Sequence, residues 1–170
     1  GGGTSSAVNL TVVLSNPVPA VTTLSPSTKF VGDAAFTLTV NGSNFVSAAV
    51  VRVDGSDRAT TFVNGGQLTA QITVADISAG TRAITVFNPA PGGGLSNPVD
   101  LAVNNPTPSL SNIAPTSKTA GAAAFILTVN GSGFVSASTV RLDGTDRVTA
   151  FVNATQLTAQ ISAADLTTAG

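Results

Sequence analysis

The chain contains no cysteine, histidine, methionine, tryptophan, tyrosine or glutamate among its 170 residues. Without cysteine it cannot form a disulfide framework or a thiolate metal site. Without histidine and cysteine it lacks the usual partners of nucleophilic catalysis. It also carries neither a Gly-x-Ser-x-Gly elbow nor a phosphate-binding glycine loop followed by lysine. We therefore expect no enzymatic activity, no catalytic residue and no bound cofactor.

Charged residues are also scarce, at 9% of the chain against about a quarter in ordinary globular proteins. Seven basic and eight acidic residues leave a net charge of −1, and no basic cluster is available for a phosphate backbone. No apolar run approaches the roughly 20 residues that a membrane-spanning helix needs. We therefore expect neither a nucleic-acid partner nor a membrane span in this segment.

The sequence does contain a long internal repeat. FTLTVNGSNFVSAAVVRVDGSDRATTFVNGGQLTAQI begins at Phe36, and FILTVNGSGFVSASTVRLDGTDRVTAFVNATQLTAQI begins at Phe125, an offset of 89 residues. The match stays in register as far as Asp76 and Asp165. Self-similarity at a fixed period indicates tandem structural units.

Each repeat is rich in short apolar runs with a period of two. Phe36, Leu38 and Val40 alternate with threonine, which is typical of a half-buried strand. Turn-forming residues such as Asp54-Gly55 separate the runs. About seven short strands per repeat predict an all-β fold of antiparallel β-sandwiches. We expect these side chains to face the interior: Phe36, Leu38, Val40, Val51, Val53, Leu68, Ile72, Ile84, Val86, Leu101 and Val103.

The repeated unit resembles the IPT/TIG domain, an immunoglobulin-like module. The resemblance rests on LSPSTKFVGDAAFTLTV around Pro26, the NGSNF or NGSGF kink, the VRVDG strand end, the QLTAQI strand, and NPAPGGGLSNPVDLAV at the last strand. These motifs are closer to the bacterial extracellular versions than to those of eukaryotic transcription factors or receptors. The resemblance implies tandem immunoglobulin-like sandwiches that serve as spacer or interaction units at a cell surface.

A second internal match divides the chain into three parts. GGGTSSAVNLTV at 1–12 matches GGGLSNPVDLAV at 92–103. We therefore predict that residues 1–16 are the final strand of a preceding module with its linker. Residues 17–105 are then a complete module, here called the first repeat. Residues 106–170, the second repeat, are the front of a further module that lacks its last two strands.

The final strand in the first part is a candidate for assembly. A sandwich without its closing strands exposes apolar faces and unpaired backbone groups. Either a longer polypeptide supplies those strands, or separate subunits exchange them head to tail. In both cases we expect Val8, Leu10 and Val12 to be buried against a module other than residues 17–105, with neighbouring copies or modules as the partners.

Two acidic turns recur in register, DGSD and DGTD. They supply four weak Ca²⁺ candidates: Asp54, Asp57, Asp143 and Asp146. Calcium prefers six to eight oxygen ligands, so a hairpin turn is the simpler interpretation. Arg58 and Arg147 lie just beyond these turns. We expect them to form exposed pairs with the turn aspartates, worth about 0–1 kcal/mol each.

Phenylalanine supplies all the aromatic residues, eight in total. Sugar and base stacking favours tryptophan and tyrosine, which are missing. Three phenylalanines of each repeat recur in register, and recurrence predicts core positions rather than a binding platform. The recurring pairs are Phe36 and Phe125, Phe45 and Phe134, and Phe62 and Phe151.

Together these features favour a structural role. We expect a module of an extracellular bacterial surface protein, in which tandem immunoglobulin-like domains form an elongated rod or filament. The segment NNPTP at 104–108 is short and contains proline, so it should be a semi-rigid linker. The alternative is an adhesin stalk, or an accessory module that binds carbohydrate or protein through its loops, with glycans as possible partners. That alternative requires an unrepeated loop with aromatic or charged residues, and the sequence shows none.

Overall fold

The computed structural model describes residues 1–4, 6, 8–9, 11 and 13–167. Within these residues the regular structure consists of strands and two short 3-10 turns, Val74–Asp76 and Ala163–Leu166. Ten strand pairings are antiparallel. The predicted all-β fold class is therefore confirmed.

Two compact units divide the chain. One unit comprises residues 1–28, 34–76 and 81–102, and the other comprises residues 29–33, 77–80 and 103–170. Because these ranges interleave in sequence, they do not fix the predicted boundaries near residues 16 and 105, which stay predictions.

The first repeat contains two sheets. Its strands are β1 (Ala20–Ser25), β2 (Thr28–Phe30), β3 (Phe36–Ser43), β4 (Val50–Val53), β5 (Ser56–Asp57), β6 (Thr60–Asn64), β7 (Gln67–Ile72), β8 (Gly80–Asn88), β9 (Gly94–Leu95) and β10 (Val99–Asn104). One sheet has the order β1-β3-β7-β6. The other has the order β2-β10-β8-β4-β5, with β9 paired to β8.

Apolar side chains from both sheets form the interior of the first repeat. Leu38 and Leu68 of the first sheet and Ile84 and Leu101 of the second have no exposed surface. Ten of the eleven predicted interior residues are buried, and Phe36, at the start of β3, is half-buried. Burial of each such side chain contributes about 1.5–3 kcal/mol. The alternating pattern therefore predicted the core face of each strand.

The segment before β1 is fastened to the loop after β8. The backbone N–H of Asn16 donates to the carbonyl of Pro91 at 2.7 Å, and the N–H of Gly93 donates to the carbonyl of Asn16 at 2.6 Å. The side-chain amide of the buried Asn88 donates to the carbonyl of Pro17 at 2.9 Å. Gly93 has a φ of +68°, and a Cβ there would lie 2.6 Å from the carbonyl oxygen of Pro89. The glycine run permits this close approach.

The second repeat forms the counterpart of the first sheet. Its strands are β11 (Ser109–Ala114), β12 (Phe125–Ser132), β13 (Arg141–Leu142), β14 (Thr145–Asp146), β15 (Thr149–Asn153) and β16 (Gln156–Ile161). One sheet has the order β11-β12-β16-β15, and β13 pairs only with β14. Phe125 lies opposite Ile161, as Phe36 lies opposite Ile72 in β3 and β7. No strand in the described part of the chain corresponds to β8, β9 or β10.

Candidate functional site

The aspartates of the first acidic turn form ion pairs with arginine side chains. Asp54 and Gly55 have φ values of +49° and +82°, as in a tight hairpin turn. Asp54 accepts a hydrogen bond from the backbone N–H of Ala83 at 2.9 Å and pairs with Arg82 at 3.2 Å. Asp57 pairs with Arg52 at 2.6 Å. Both carboxylates are thus engaged by groups of the protein itself.

The second acidic turn has the same backbone and a different set of partners. Asp143 repeats the left-handed conformation with a φ of +51°, and Asp146 pairs with Arg141 at 2.6 Å. Asp143 has no ion-pair partner among the described residues. Those residues also contain no group of three or more acidic, histidine or cysteine side chains that could hold a metal ion. Each aspartate is better explained as a turn residue than as a calcium ligand.

The predicted pairing of Arg58 with its neighbouring turn was wrong. The Arg58 guanidinium instead forms a two-pronged ion pair with Asp76, and its Nε donates to Asp76 Oδ2 at 3.0 Å. Its remaining amino group donates to the carbonyls of Ser56 at 3.1 Å and Asp57 at 2.9 Å. Arg147 and Asp165 repeat the arrangement at 3.1 and 2.6 Å. Arginine fits this role because its planar fork matches a carboxylate.

The environment of Asp76 favours its charged form. The Arg58 hydrogen bonds lower the pKa of the Asp76 carboxyl below its ordinary value, against the opposing effect of burial. The backbone N–H and hydroxyl of Thr73 also donate to it, each at 2.9 Å. The same partnership raises the pKa of Arg58. In the second repeat, hydrogen bonds from Ser162 are the main cause that lowers the pKa of Asp165. Each pair ties a hairpin to a short 3-10 turn, Val74–Asp76 in the first repeat and Ala163–Leu166 in the second.

The repeated phenylalanines occupy three different environments. Phe45 and Phe134 are buried, as expected for core residues. Phe36 and Phe125 are half-buried. The prediction of a core position was wrong for Phe62 and Phe151, which are 37% and 41% exposed. Both lie on edge strands, β6 and β15, where a register shift follows the phenylalanine. Recurrence therefore shows that an environment is shared and not that it is buried.

The second repeat presents an uncovered apolar surface, which we call the open face. It comprises five residues that are exposed or half-buried although their counterparts in the first repeat are buried: Leu110, Ile113, Leu127, Val140 and Leu142. A groove of about 230 Å³ runs along it, and Ile113, Phe125, Leu127 and Leu142 contribute to its lining. The ammonium group of Lys118 lies 4.9 Å from the centre of the Phe125 ring. The open face is the largest difference between the two repeats.

A second depression, the outer groove, lies beside the Arg147–Asp165 pair and has a volume of about 510 Å³. Ile126 and Val148 line it and are 55% and 70% exposed. The first repeat has Thr37 and Ala59 at these positions. There the Gln71 amide donates to the Thr37 hydroxyl at 3.0 Å. The second repeat thus has apolar surface where the first has a polar cross-strand contact.

Most of the predicted assembly strand lies outside the residues that the structure describes. Val8 is 93% exposed, whereas Leu10 and Val12 are not among the described residues. Burial of these three side chains against another module stays a prediction.

Sequence analysis missed Asp76 and Asp165 as ion-pair partners, although both recur in register with Arg58 and Arg147. Recurrence of oppositely charged residues was the signal that could have identified the ion pairs.

Three solved structures resemble the chain at low identity. A structure of the plexin A4 full extracellular region, domains 1 to 10, has a TM-score of 0.41 and 16% identity, and covers 84% of this chain and 12% of that one. A second plexin A4 structure has a TM-score of 0.42 and 14% identity, and the match covers 87% of this chain and 15% of that one. A third is described as a crystal structure with a xylogluco-oligosaccharide. It has a TM-score of 0.41 and 13% identity, and the match covers 85% of this chain and 35% of that one. The chain thus spans well under half of each.

No curated protein sequence matches the chain. None of the helical segments in the described residues has the length and hydropathy needed to cross a membrane. The family comparison is informative, because one family matches both repeats. It matches residues 19–103 and 108–168, and its domain is a non-catalytic immunoglobulin-like fold. The chain therefore belongs to the IPT/TIG domain family, with two tandem copies.

Proposed function

We propose that the chain is a structural part of an extracellular bacterial surface protein, in which tandem IPT/TIG modules form an elongated rod or filament. One observation carries the proposal. The two copies follow each other in sequence and share strand register, kinks and ion pairs at a constant offset. Modules that repeat in this way form quasi-linear arrays, because each unit contacts only its neighbours.

The composition supports an extracellular location. Cysteine and methionine, the residues most prone to oxidation, are missing. Threonine and serine are the most numerous polar residues, so the chain is water-compatible with few charges. Neighbouring copies or modules of the same protein are the proposed partners, and glycans on its serine and threonine residues are compatible with this surface. The proposal includes no catalytic role.

Small-angle X-ray scattering of the chain and of concatenated copies tests this proposal. A single compact particle of this length would have a radius of gyration of about 15 Å. We expect a larger value for the chain, and a maximum dimension that grows by a constant increment with each added copy. A radius of gyration near the compact value, with added copies that collapse onto one another, would contradict a rod.

The second candidate function is an adhesin stalk or a carbohydrate- or protein-binding accessory module. The outer groove favours it, because this groove departs from the repeat and carries Ile126, Val148 and a guanidinium group. A glycan array probed with the full chain would test it, and Ile126→Thr with Val148→Ala would restore the pattern of the first repeat. Binding of a glycan by the full chain, but not by the double variant, would favour the second candidate function.

A further inference from the structure

Three asparagines of the chain directly precede a glycine, and their surroundings differ. They are Asn41, Asn64 and Asn130. An Asn-Gly pair is chemically reactive, because glycine has no Cβ to hinder attack of its backbone nitrogen on the asparagine side chain. We propose that Asn64 is a site of spontaneous covalent modification, at which the first repeat slowly converts asparagine to aspartate and isoaspartate. This inference goes beyond the proposed structural role and does not depend on it.

The modification needs only the chain and water. The backbone nitrogen of Gly65 bonds to the side-chain carbonyl carbon of Asn64, and the amide nitrogen Nδ2 leaves as ammonia with the proton that Gly65 gives up. The product is a five-membered succinimide ring. Water then adds to one of its two carbonyl carbons and opens the ring, to aspartate in one case and to isoaspartate in the other. Either product is a carboxylic acid that is charged at neutral pH.

The first kink asparagine, Asn41, is held away from this reaction. The N–H of Gly42 donates to the carbonyl of Gly66 at 2.9 Å. The Asn41 amide donates to the Thr23 hydroxyl at 3.2 Å, and its carbonyl oxygen accepts from the Gln67 amide at 2.9 Å. The attacking nitrogen and the attacked side chain are therefore both engaged across the strands.

Asn130 repeats this arrangement in the second repeat. The N–H of Gly131 donates to the carbonyl of Thr155 at 2.9 Å. The Asn130 amide donates to Asn112 Oδ1 at 2.7 Å, and its carbonyl oxygen accepts from the Gln156 amide at 2.9 Å. Rotation of the side chain toward the next peptide would break both of its hydrogen bonds, which opposes cyclisation.

Asn64 lies in a different environment, at the turn between β6 and β7. Both Asn64 and Gly65 are exposed. The side-chain oxygen of Asn64 accepts a hydrogen bond from the N–H of Gly66 at 2.8 Å, and this Asx turn closes a ring that includes the Gly65 nitrogen. Among the described residues, neither the Gly65 N–H nor the Asn64 amide nitrogen has a hydrogen-bond partner. The nucleophile and the leaving group are thus both available.

The second repeat has the same turn without the glycine. The side-chain oxygen of Asn153 accepts hydrogen bonds from the N–H and the hydroxyl of Thr155 at 2.9 and 2.8 Å. Asn153 is also exposed, but Ala154 follows it. The methyl group of alanine crowds the attacking nitrogen, so we expect the second repeat to keep its asparagine where the first loses it.

Conversion of Asn64 would loosen the kink of the first repeat. The N–H of Phe45 donates to the carbonyl of Gly65 at 3.0 Å, and the N–H of Gly42 donates to the carbonyl of Gly66 at 2.9 Å. Isoaspartate adds one methylene to the backbone directly before these two carbonyls and would displace them. In converted chains the amides of Phe45 and Gly42 should therefore exchange faster with solvent.

The test incubates the full chain at mildly alkaline pH and follows each asparagine by peptide mass spectrometry, with fragmentation that separates isoaspartate from aspartate. We expect Asn64 to convert at least about tenfold faster than Asn41 or Asn130, which corresponds to about 1.4 kcal/mol in activation free energy. Isoaspartate should be among the products, because ring opening of the succinimide yields it and direct hydrolysis of the side chain does not.

Two matched variants separate the effect of the glycine from that of the turn. Gly65→Ala should slow the conversion of Asn64 about tenfold or more. It should leave the fold intact, because a Cβ at this position lies 3.7 Å from the nearest atom. Ala154→Gly gives the second repeat the residue of the first, and it should bring conversion to Asn153 at a rate near that of Asn64.

Unfolding in urea tests the part played by the structure. Asn41 and Asn130 should then convert about as fast as Asn64, because the hydrogen bonds that hold them are lost. Kink asparagines that stay slow in urea, or that match Asn64 in the folded chain, would overturn the inference. So would a Gly65→Ala chain that converts at the original rate, or aspartate that forms without isoaspartate.

Discussion

Identical positions in the two repeats differ in exposure more than they differ in sequence. Val21 is 4% exposed and its counterpart Leu110 is 68% exposed, although leucine is the larger apolar residue. Leu38 is fully buried, whereas Leu127 is half-buried. Strand identity and register are the same in both places. The difference shows that the pairing within this sheet depends on its own residues, whereas burial depends on the sheet that packs against it.

The largest effect should come from truncation of the paired core leucines. Leu38→Ala removes a fully buried side chain, so we expect a loss of about 3–4 kcal/mol in the free energy of unfolding of the first repeat. Leu127→Ala removes a half-buried one, and we expect a loss of about 1 kcal/mol. Urea unfolding followed by amide signals of each repeat measures both. Equal losses would mean that the open face is covered in solution.

The kink glycines should be equally intolerant in both repeats. A Cβ at Gly42 would overlap the carbonyl of Ala20 and the ring of Phe45, and a Cβ at Gly131 would overlap the carbonyl of Ser109 and the ring of Phe134. We expect a loss of about 2 kcal/mol or more from alanine at either site, measured by thermal unfolding.

Gly65→Ala is the matched control for the kink variants. A Cβ at Gly65 meets only an ordinary contact, 3.7 Å from the nearest atom, and the second repeat already has Ala154 there. We expect Gly65→Ala to be close to neutral. A destabilisation by Gly42→Ala no larger than that of Gly65→Ala would show that the kink can relax.

The ion pairs should make stability depend on pH in the acid range. Because the folded-state pKa of Asp76 lies below its ordinary value, the unfolded chain binds a proton at a pH where the folded chain does not. The stabilisation is therefore complete above the ordinary carboxyl pKa of about 4 and is lost as pH falls through the lowered value. Asp76→Asn should remove the contribution of Asp76 to this dependence and cost about 2 kcal/mol at neutral pH.

Asp165→Asn is the counterpart in the second repeat. The pKa of Asp165 is also lowered, with Ser162 as the main cause, so the direction should be the same. Because the Asp165 side chain is 15% exposed where that of Asp76 is 6% exposed, we expect a smaller effect. Unfolding curves recorded from neutral to acid pH would compare the two variants. A wild-type stability that stays constant through the acid range would refute the assigned roles.

The smallest effect should come from the turn aspartates. Asp54 pairs with Arg82 and accepts a hydrogen bond from Ala83, so Asp54→Asn should cost about 0.5–1 kcal/mol. Asparagine tolerates the left-handed conformation, which isolates the effect of the charge. Asp143→Asn should change the stability of the second repeat by no more than a few tenths of a kcal/mol. Thermal unfolding of the two variants in low salt would resolve this difference.

The local periodicity of the sequence was sufficient to predict strands and their core faces. Alternation in FTLTV places Leu38 and Val40 inward, and the structure agrees. The Arg58 partner could not be found in this way, because Asp76 lies 18 residues further along the chain and the pairing depends on how a hairpin meets the end of β7. Phe62 shows the same limit, since exposure at a sheet edge depends on sheet order. The same holds for the candidate site: the turn aspartates were recognised from the local sequence, whereas their partners were not.

The hydrogen bonds that fasten Asn16 have a mechanical consequence. Asn16 and Gly92 form a parallel bridge, with hydrogen bonds from Asn16 to Pro91 and from Gly93 to Asn16. A pull on the chain ahead of Asn16 would reach this bridge before it reached β1. Because the load would reach both hydrogen bonds of this bridge at once, they would have to break together. In the rod proposed above, the segment that leads into the first repeat would brace the sandwich against being peeled open at β1.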